Sequence, residues 1–327
     1  MTHNRLTVIQ ERGSYIENQH RISVAAYTTK GNVVLDLDQA MVTTFRSSAK
    51  PFQLLGCLDL LSSQQCAALT EEQLALGTAS HSGESKHVAG VRDILSHFEL
   101  PEEQLLCGTH WPVHPESAYA VARSGNEATA IHNNCSGKHA FMLAARKFGS
   151  ESNDSDYRKL EHEIQQSIFK RITEACGEAA IDTVIDGCGV PCFVMSLSAM
   201  ARSWAFLAGK MARNDGMLAR IGWAMHKYSY LISGTNRLDN ALVQSANKPM
   251  VAKVGAEGVH CFAIPHLGLG IAIKVHSGTS NPRAPAAIAV LDKLAPGLLD
   301  ANGMQHWLQI RNWAGELVGR RFAKWGD

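Results

Sequence analysis

Phe45-Arg46-Ser47-Ser48-Ala49-Lys50-Pro51-Phe52-Gln53 joins a short β-branched run, Met41 to Phe45, to an apolar stretch that reads as a helix from Phe52 to Leu61. Proline disfavours the α conformation at the residue before it and suits the first turn of a helix. The spacing therefore predicts that Ser47 to Lys50 forms the turn entering that helix. A tight 3₁₀-like turn stacks residues i and i+3 on one side. Such a turn brings the Ser47 hydroxyl and the Lys50 amine together.

Upstream, Ile22 to Tyr27 and Val33 to Leu37 are β-branched runs separated by Thr-Thr-Lys-Gly-Asn, a hairpin signal. Downstream, Glu71 to Leu76, His87 to Phe98, Gly137 to Lys147, Tyr157 to Cys176 and Leu197 to Tyr230 carry apolar residues at helical spacing. Breaks are expected at Gly209 and at Asn214-Asp215-Gly216. Strand character returns with Val259 to Ile264 and Ile271 to Val275, around a second hairpin. A helix follows from Ala284 to Leu294, and the tail from Met304 to Trp325 reads as helical. Ser150 to Asp156 reads as a surface loop leading to a helix. The expected architecture is an α/β fold with one sheet built from both chain termini and a mainly helical lobe inserted between them. The expected division assigns residues 1–60 and 250–327 to the sheet lobe and 61–249 to the helical lobe, as one compact two-lobed unit.

The 327-residue chain is 45% hydrophobic and carries 31 basic against 30 acidic residues, so its formal net charge is +1. That balance gives no electrostatic case for nucleic acid or an anionic membrane surface. No apolar run reaches the ~20 residues that span a bilayer. Met1 to Leu6 leads into a mixed polar segment without the apolar block of a signal peptide, so a cytoplasmic location is expected. The eight cysteines are widely spaced and read as reduced, mostly core-filling thiols.

Five segments carry the chemistry. The Ser47–Lys50 spacing recurs in acyl-transfer enzymes that use lysine as the base, although chance also produces it. Ala79-Ser80-His81-Ser82-Gly83-Glu84 supplies a second hydroxyl, or simply a loop and helix cap, with His81 and Glu84 equally readable as surface residues. Asn133-Asn134-Cys135-Ser136-Gly137-Lys138-His139 puts a thiol three residues from an amine at a helix start. A neighbouring cation lowers a thiol pKa and can make a nucleophile or metal ligand; a core Cys beside a surface Lys is the other reading. Asp186-Gly187-Cys188-Gly189-Val190-Pro191-Cys192 holds a carboxylate and a thiol on a turn after Ile181 to Ile185. Lys253-Val254-Gly255 has the order and topology of the late Lys-Thr/Ser-Gly element of penicillin-binding enzymes, or is a solvated strand end. Two Cys and one Lys are an unusual zinc set beside the common Cys/His sites. No His-Glu-x-x-His, Gly-x-Ser-x-Gly or Gly-x-Gly-x-x-Gly motif is present, which weakens metalloprotease, α/β-hydrolase and dehydrogenase readings.

Taken together, 45–53, 79–84, 132–139, 186–191 and 253–258 resemble, in order, the asparaginase II family of thermolabile rhizobial-type L-asparaginases. The resemblance implies hydrolysis of L-asparagine to L-aspartate and ammonia, a serine β-lactamase-like fold shared with glutaminases, and a homodimer. It makes Ser47 the nucleophile with Lys50 as its base, and Ser80 with Lys253 a second Ser–Lys pair. Cys135, Lys138 and Cys188 match the family's zinc site, with zinc serving recognition more than hydroxide formation. Arg46, His139 and Asp186 match substrate-contacting or supporting positions. The rivals are another serine amidohydrolase, of glutaminase or β-lactamase-like type, and a non-catalytic amino-acid-binding protein. Pro51 and the lack of a Ser-Asp-Asn block make the β-lactamase analogy approximate.

Overall fold

The computed structural model describes residues 5–151, 154–180 and 182–326. The readings for residues 1–4, for Ser152 and Asn153 within the Ser150–Asp156 loop and for Ile181 lie outside the described residues. The strands in chain order are β1 (Arg5–Arg12), β2 (Tyr15–Thr28), β3 (Val33–Leu37), β4 (Val42–Thr44), β5 (Asp182–Ile185), β6 (Pro191–Ser196), β7 (Val251–Val254), β8 (Val259–Ile264), β9 (Leu269–Val275), β10 (Gln309–Arg311) and β11 (Leu317–Gly326). The chain divides into two units. The first comprises Met1–Ser48, Met195–Gly209 and Ala241–Asp327; the second comprises Ala49–Val194 and Lys210–Asn240.

The first unit is built on an antiparallel sheet that, among the described residues, has eight strands in the order β10-β11-β1-β2-β9-β8-β7, with β3 paired to β2. The N-terminal pair β1-β2 therefore sits between C-terminal strands within one sheet, and the fold is mixed α/β. Every residue of β8 and β9 is buried. Strands covered on both faces read as continuous apolar runs rather than alternating ones, which is why Val259–Ile264 is legible as a strand. The Leu197–Arg213 helix lies against β9. A Cβ at Gly270 would overlap backbone atoms of Ala201 and Ala205, so only glycine admits that approach. This packing is the reason that Met195–Gly209 belongs with the sheet rather than with the helical segment around it.

One terminal reading needs correction, and the N-terminal segment takes an element that the sequence reading does not assign. The tail is helical only over Ala301–Leu308, and then forms β10 and β11. The N-terminal polar segment is β1, paired with β11 in the register Leu6↔Trp325 and Val8↔Ala323 and with β2 on its other side. Both are amphiphilic segments whose backbone groups find ladder partners far away in sequence, and that pairing outweighs local periodicity.

The second unit is mainly helical. Its central Lys50–Leu58 helix buries eight of nine residues and packs on the Glu163–Cys176 and Ser136–Gly149 helices. A Cβ at Gly56 would lie 2.6 Å from Ile168 Cα, so backbone meets backbone there. The helix expected from Tyr157 begins at Glu163, capped by His162. Tyr157 instead occupies a turn with its side chain fully buried. The break expected at Asn214-Asp215 separates Leu197–Arg213 from Gly216–Lys227, whereas Gly209 lies within the first of these helices. A further helix, Pro115–Arg123, buries none of its residues and is not among the helices expected from the sequence. Among the described residues no helix is long and apolar enough to cross a membrane.

Candidate active site

Arg46–Ala49 forms a 3₁₀ turn that runs directly into the Lys50–Leu58 helix, with Pro51 in the first turn of that helix. Arg46 sits at φ +49°, a left-handed conformation that costs energy for a residue with a Cβ. The neighbouring backbone holds it there. The Ser48 hydroxyl donates to the Lys253 carbonyl at 2.8 Å, and the Trp204 indole donates to the Ser48 carbonyl at 3.3 Å. A Cβ at Gly255 would come within 3.2 Å of Arg46 Cβ and of the Phe45 carbonyl oxygen. The end of β7 is thus fastened to the turn, and glycine at 255 permits the approach. Ser48 is fully buried, whereas Ser47 is half-buried and makes no hydrogen bond among the described residues. Lys253 is fully buried, and its amine donates to the Val254 carbonyl at 2.9 Å. That burial removes the solvated-strand-end reading.

In the second unit, the buried Lys50 amine donates to the Ala79 carbonyl and lies 2.9 Å from the Ser80 hydroxyl. Ser80 is fixed by its own amide, which donates to the Ile232 carbonyl at 2.9 Å. His81 and Glu84 are buried, not surface residues. His81 Nδ1 accepts from the Gly83 amide at 3.2 Å, so its proton is on Nε2, which faces Ser136 Oγ at 2.9 Å. Ser136 can accept there because its own hydroxyl donates to the Ile131 carbonyl. Burial, with His87 and Lys50 nearby, keeps His81 well below its usual pKa and therefore neutral.

Cys135 caps the start of the Ser136–Gly149 helix, and its amide donates to Asn133 Oδ1 at 2.8 Å. Cys188 is presented by the turn between β5 and β6, closed by Asp186 N to Val190 O at 2.9 Å and by Gly189 at φ +84°. The Lys138 amine donates to Cys188 Sγ at 3.2 Å, and the two sulfurs share a hydrogen bond. That bond, with Lys50 and Lys138 beside it, holds the Cys135 thiol well below the ordinary thiol range despite burial. Cys188 is correspondingly pushed up, foremost by the same bond and then by burial. The pair shares one thiolate. Burial works against the Lys138 charge, but the sulfurs and Asp186 outweigh it and raise its pKa.

His139 is fully buried. Its Nδ1 lies 2.9 Å from the Tyr157 hydroxyl, which itself accepts from the Leu106 amide at 2.8 Å. The Tyr157 proton therefore points at Nδ1, and the ring proton falls on Nε2, which has no partner among the described residues. Burial and the Lys138 charge keep this ring neutral.

A family model described as L-asparaginase II matches residues 8–322. The chain belongs to the L-asparaginase II family. No curated protein matches this sequence. Among solved structures, Mglu in its native form matches with a TM-score of 0.46 and 15% identity, covering 84% of this chain and 64% of Mglu. The chain thus spans less than two thirds of that protein's length. The Bacillus subtilis glutaminase YbgJ, in a covalent complex formed with 6-diazo-5-oxo-L-norleucine, matches at TM-score 0.36 and 13% identity, over 78% of this chain and 80% of that one. The β-lactamase from Streptomyces albus G matches at 0.37 and 15%, over 80% and 87%.

In this L-asparaginase II family member, Ser47, Arg46 and Lys253 belong to the first unit. Lys50, Ser80, Cys135, Lys138, His139, Asp186 and Cys188 belong to the second. Within the second unit Lys50 joins Ser80 to the Cys135 side, while Lys138 and Asp186 close on Cys188. Tyr157, Tyr230 and Thr235, which hold His139 and Glu84, went unread in the sequence. Nothing local marks a tyrosine or threonine as a distant residue's hydrogen-bond donor.

The donor set suits a zinc ion in a limited way. Among the described residues no group of three or more His, Cys, Asp or Glu side chains converges. A metal here would depend on the two sulfurs and on Lys138 giving up its proton. One sulfur already has thiolate character, the form that ligates. Two sulfurs and one amine leave a fourth tetrahedral position open.

Proposed function

We propose that the protein is an L-asparaginase that hydrolyses L-asparagine to L-aspartate and ammonia through an acyl-enzyme on Ser47. Family membership gives the reaction class. The observation that carries the mechanism is the buried Lys50 amine 2.9 Å from the Ser80 hydroxyl, at the start of the helix that the Ser47 turn enters. An amine out of water, in contact with a second proton carrier, is equipped as a base with a relay.

In its neutral form Lys50 takes the Ser47 proton as Oγ bonds to the side-chain carbonyl carbon of asparagine. The C–N bond then breaks, the departing nitrogen collects that proton by way of Lys50 and Ser80, and ammonia leaves. Water attacks the resulting ester, gives its proton back through the same amine, and releases aspartate with the Ser47 hydroxyl restored. Lys253 and Ser80 form the second pair, passing protons and guiding the water. Arg46, His139 and Asp186 contact or support the substrate, His139 through the N–H of Nε2. Cys135, Lys138 and Cys188 would hold a zinc ion, which when bound supplies a Lewis-acid anchor for substrate recognition.

The test is ammonia release from asparagine by the wild-type protein, Ser47→Ala and Lys50→Ala. Near-wild-type rates in either variant overturn the assigned pair. Turnover of glutamine or a β-lactam in place of asparagine would reassign the substrate, and asparagine binding without turnover would make the protein a binding module.

A further inference from the structure

Glu84 lies outside every role given so far, yet it is among the most heavily bonded groups of the second unit. Each of its carboxylate oxygens accepts two hydrogen bonds. Oε1 receives the Ser82 hydroxyl at 2.7 Å and the Thr235 amide at 2.8 Å; Oε2 receives the Tyr230 hydroxyl at 2.9 Å and the Thr235 hydroxyl at 2.7 Å. The side chain is only 10% exposed. Charge-assisted bonds of this kind are roughly twice as strong as neutral ones, and a carboxylate with all acceptor sites filled fixes the elements that supply the donors.

Those donors come from two places in the chain, the Ser80–Glu84 loop and the Tyr230–Thr235 segment. Two further contacts join the same pair. The Ser80 amide donates to the Ile232 carbonyl. The His87 ring stacks between His81 and Tyr230, at centroid separations of 5.2 and 5.1 Å, and its Nε2 faces the Tyr230 carbonyl at 3.2 Å. The closeness is set by glycine. Gly234 has φ +119°, and a Cβ there would overlap both the Ser82 hydroxyl and the Glu84 carboxylate.

We propose that Glu84 is the positioning residue of the Ser80 loop, clamping it to Tyr230–Thr235 so that the Ser80 hydroxyl stays on the Lys50 amine. The clamp stands on geometry alone; its effect on rate rests on the asparaginase reading. Glu84→Gln keeps the shape but turns one acceptor into an amide donor, so two of the four donors lose their partner. Tyr230→Phe removes one donor without a cavity and is the milder perturbation should the first variant fold poorly.

Hydrogen–deuterium exchange and steady-state kinetics test it together. In Glu84→Gln, exchange should rise in 79–84 and 230–235 with the rest of the chain unchanged. The kcat for asparagine should fall by about 10²-fold, as expected for a misplaced catalytic group, with KM little altered. Tyr230→Phe should show the same pattern at smaller size. Unchanged exchange in those two segments, or a rise spread across the whole second unit, overturns the clamp. A kcat that stays at the wild-type level while exchange rises there overturns the positioning role. If the wild-type protein releases no ammonia from asparagine, the asparaginase reading fails, while the exchange measurement still decides on the clamp.

Discussion

The Lys50 amine contacts the Ser80 hydroxyl at 2.9 Å and donates to the Ala79 carbonyl as well. One amine thus meets two consecutive residues of the 79–84 loop. It also stands three residues after Ser47, at the end of a 3₁₀ turn. In the proposed reaction Lys50 is the common member, taking a proton from Ser47 and exchanging it with Ser80.

Replacing Lys50 with methionine keeps the volume of the side chain and removes that amine. Ammonia release from asparagine should fall by about 10³-fold, in the range of lost general-base catalysis. Stability should fall by about 1–3 kcal/mol, because the Ala79 carbonyl loses its donor inside the protein. Initial rates and urea midpoints on the same preparation check both.

The two adjacent serines should separate cleanly. The Ser48 hydroxyl is committed to the Lys253 carbonyl, so Ser48→Ala should cost about 1 kcal/mol of stability and retain most of the activity. Ser47→Ala should abolish turnover while leaving the melting temperature near that of the wild type. Comparable losses in both variants would contradict the assignment of Ser47 as nucleophile.

Zinc content is the readout for the sulfur cluster. Wild-type protein dialysed against zinc should retain the ion, whereas Cys135→Ser and Cys188→Ser should lose it. Chelation should raise KM for asparagine more than it lowers kcat, if the ion serves recognition. Equal zinc in wild type and Cys135→Ser removes that residue from the site.

Acid stability should depend on Glu84. Burial pushes its pKa up, but the bonds from Ser82, Thr235 and Tyr230 outweigh this and hold it at about 2, against an ordinary value of 4.5. Between those two values the unfolded chain takes up a proton that the folded protein refuses, so stability rises with pH across the window. The Glu84 contribution is fully present above pH 4.5 and is lost as the pH falls toward 2. Glu84→Gln should lose stability at neutral pH and show a shallower decline over that window. Thermal midpoints measured through it decide the matter.

Much of this protein was legible from its sequence because the relevant signals are local. Pro51 marked the entry to the Lys50–Leu58 helix, although the turn ends at Ala49 and Lys50 is already helical. Strands β8 and β9 announced themselves as mainly apolar runs interrupted by His260 and Lys274. The five ordered blocks pointed to the family without any knowledge of the fold. Tertiary structure decided the rest. It made strands of Arg5–Arg12 and Leu317–Gly326, whose backbone partners lie some three hundred residues apart. It buried Lys253, His81 and Glu84, whose short segments read equally well as surface. For the Ser47–Lys50 turn, the sequence determined which hydroxyl and amine share it. Only the folded chain decided that the amine also meets Ser80 and that β7 braces the turn at Gly255. Spacing along the chain governs neighbours within a few residues, whereas burial and distant hydrogen bonds depend on what the rest of the chain brings there.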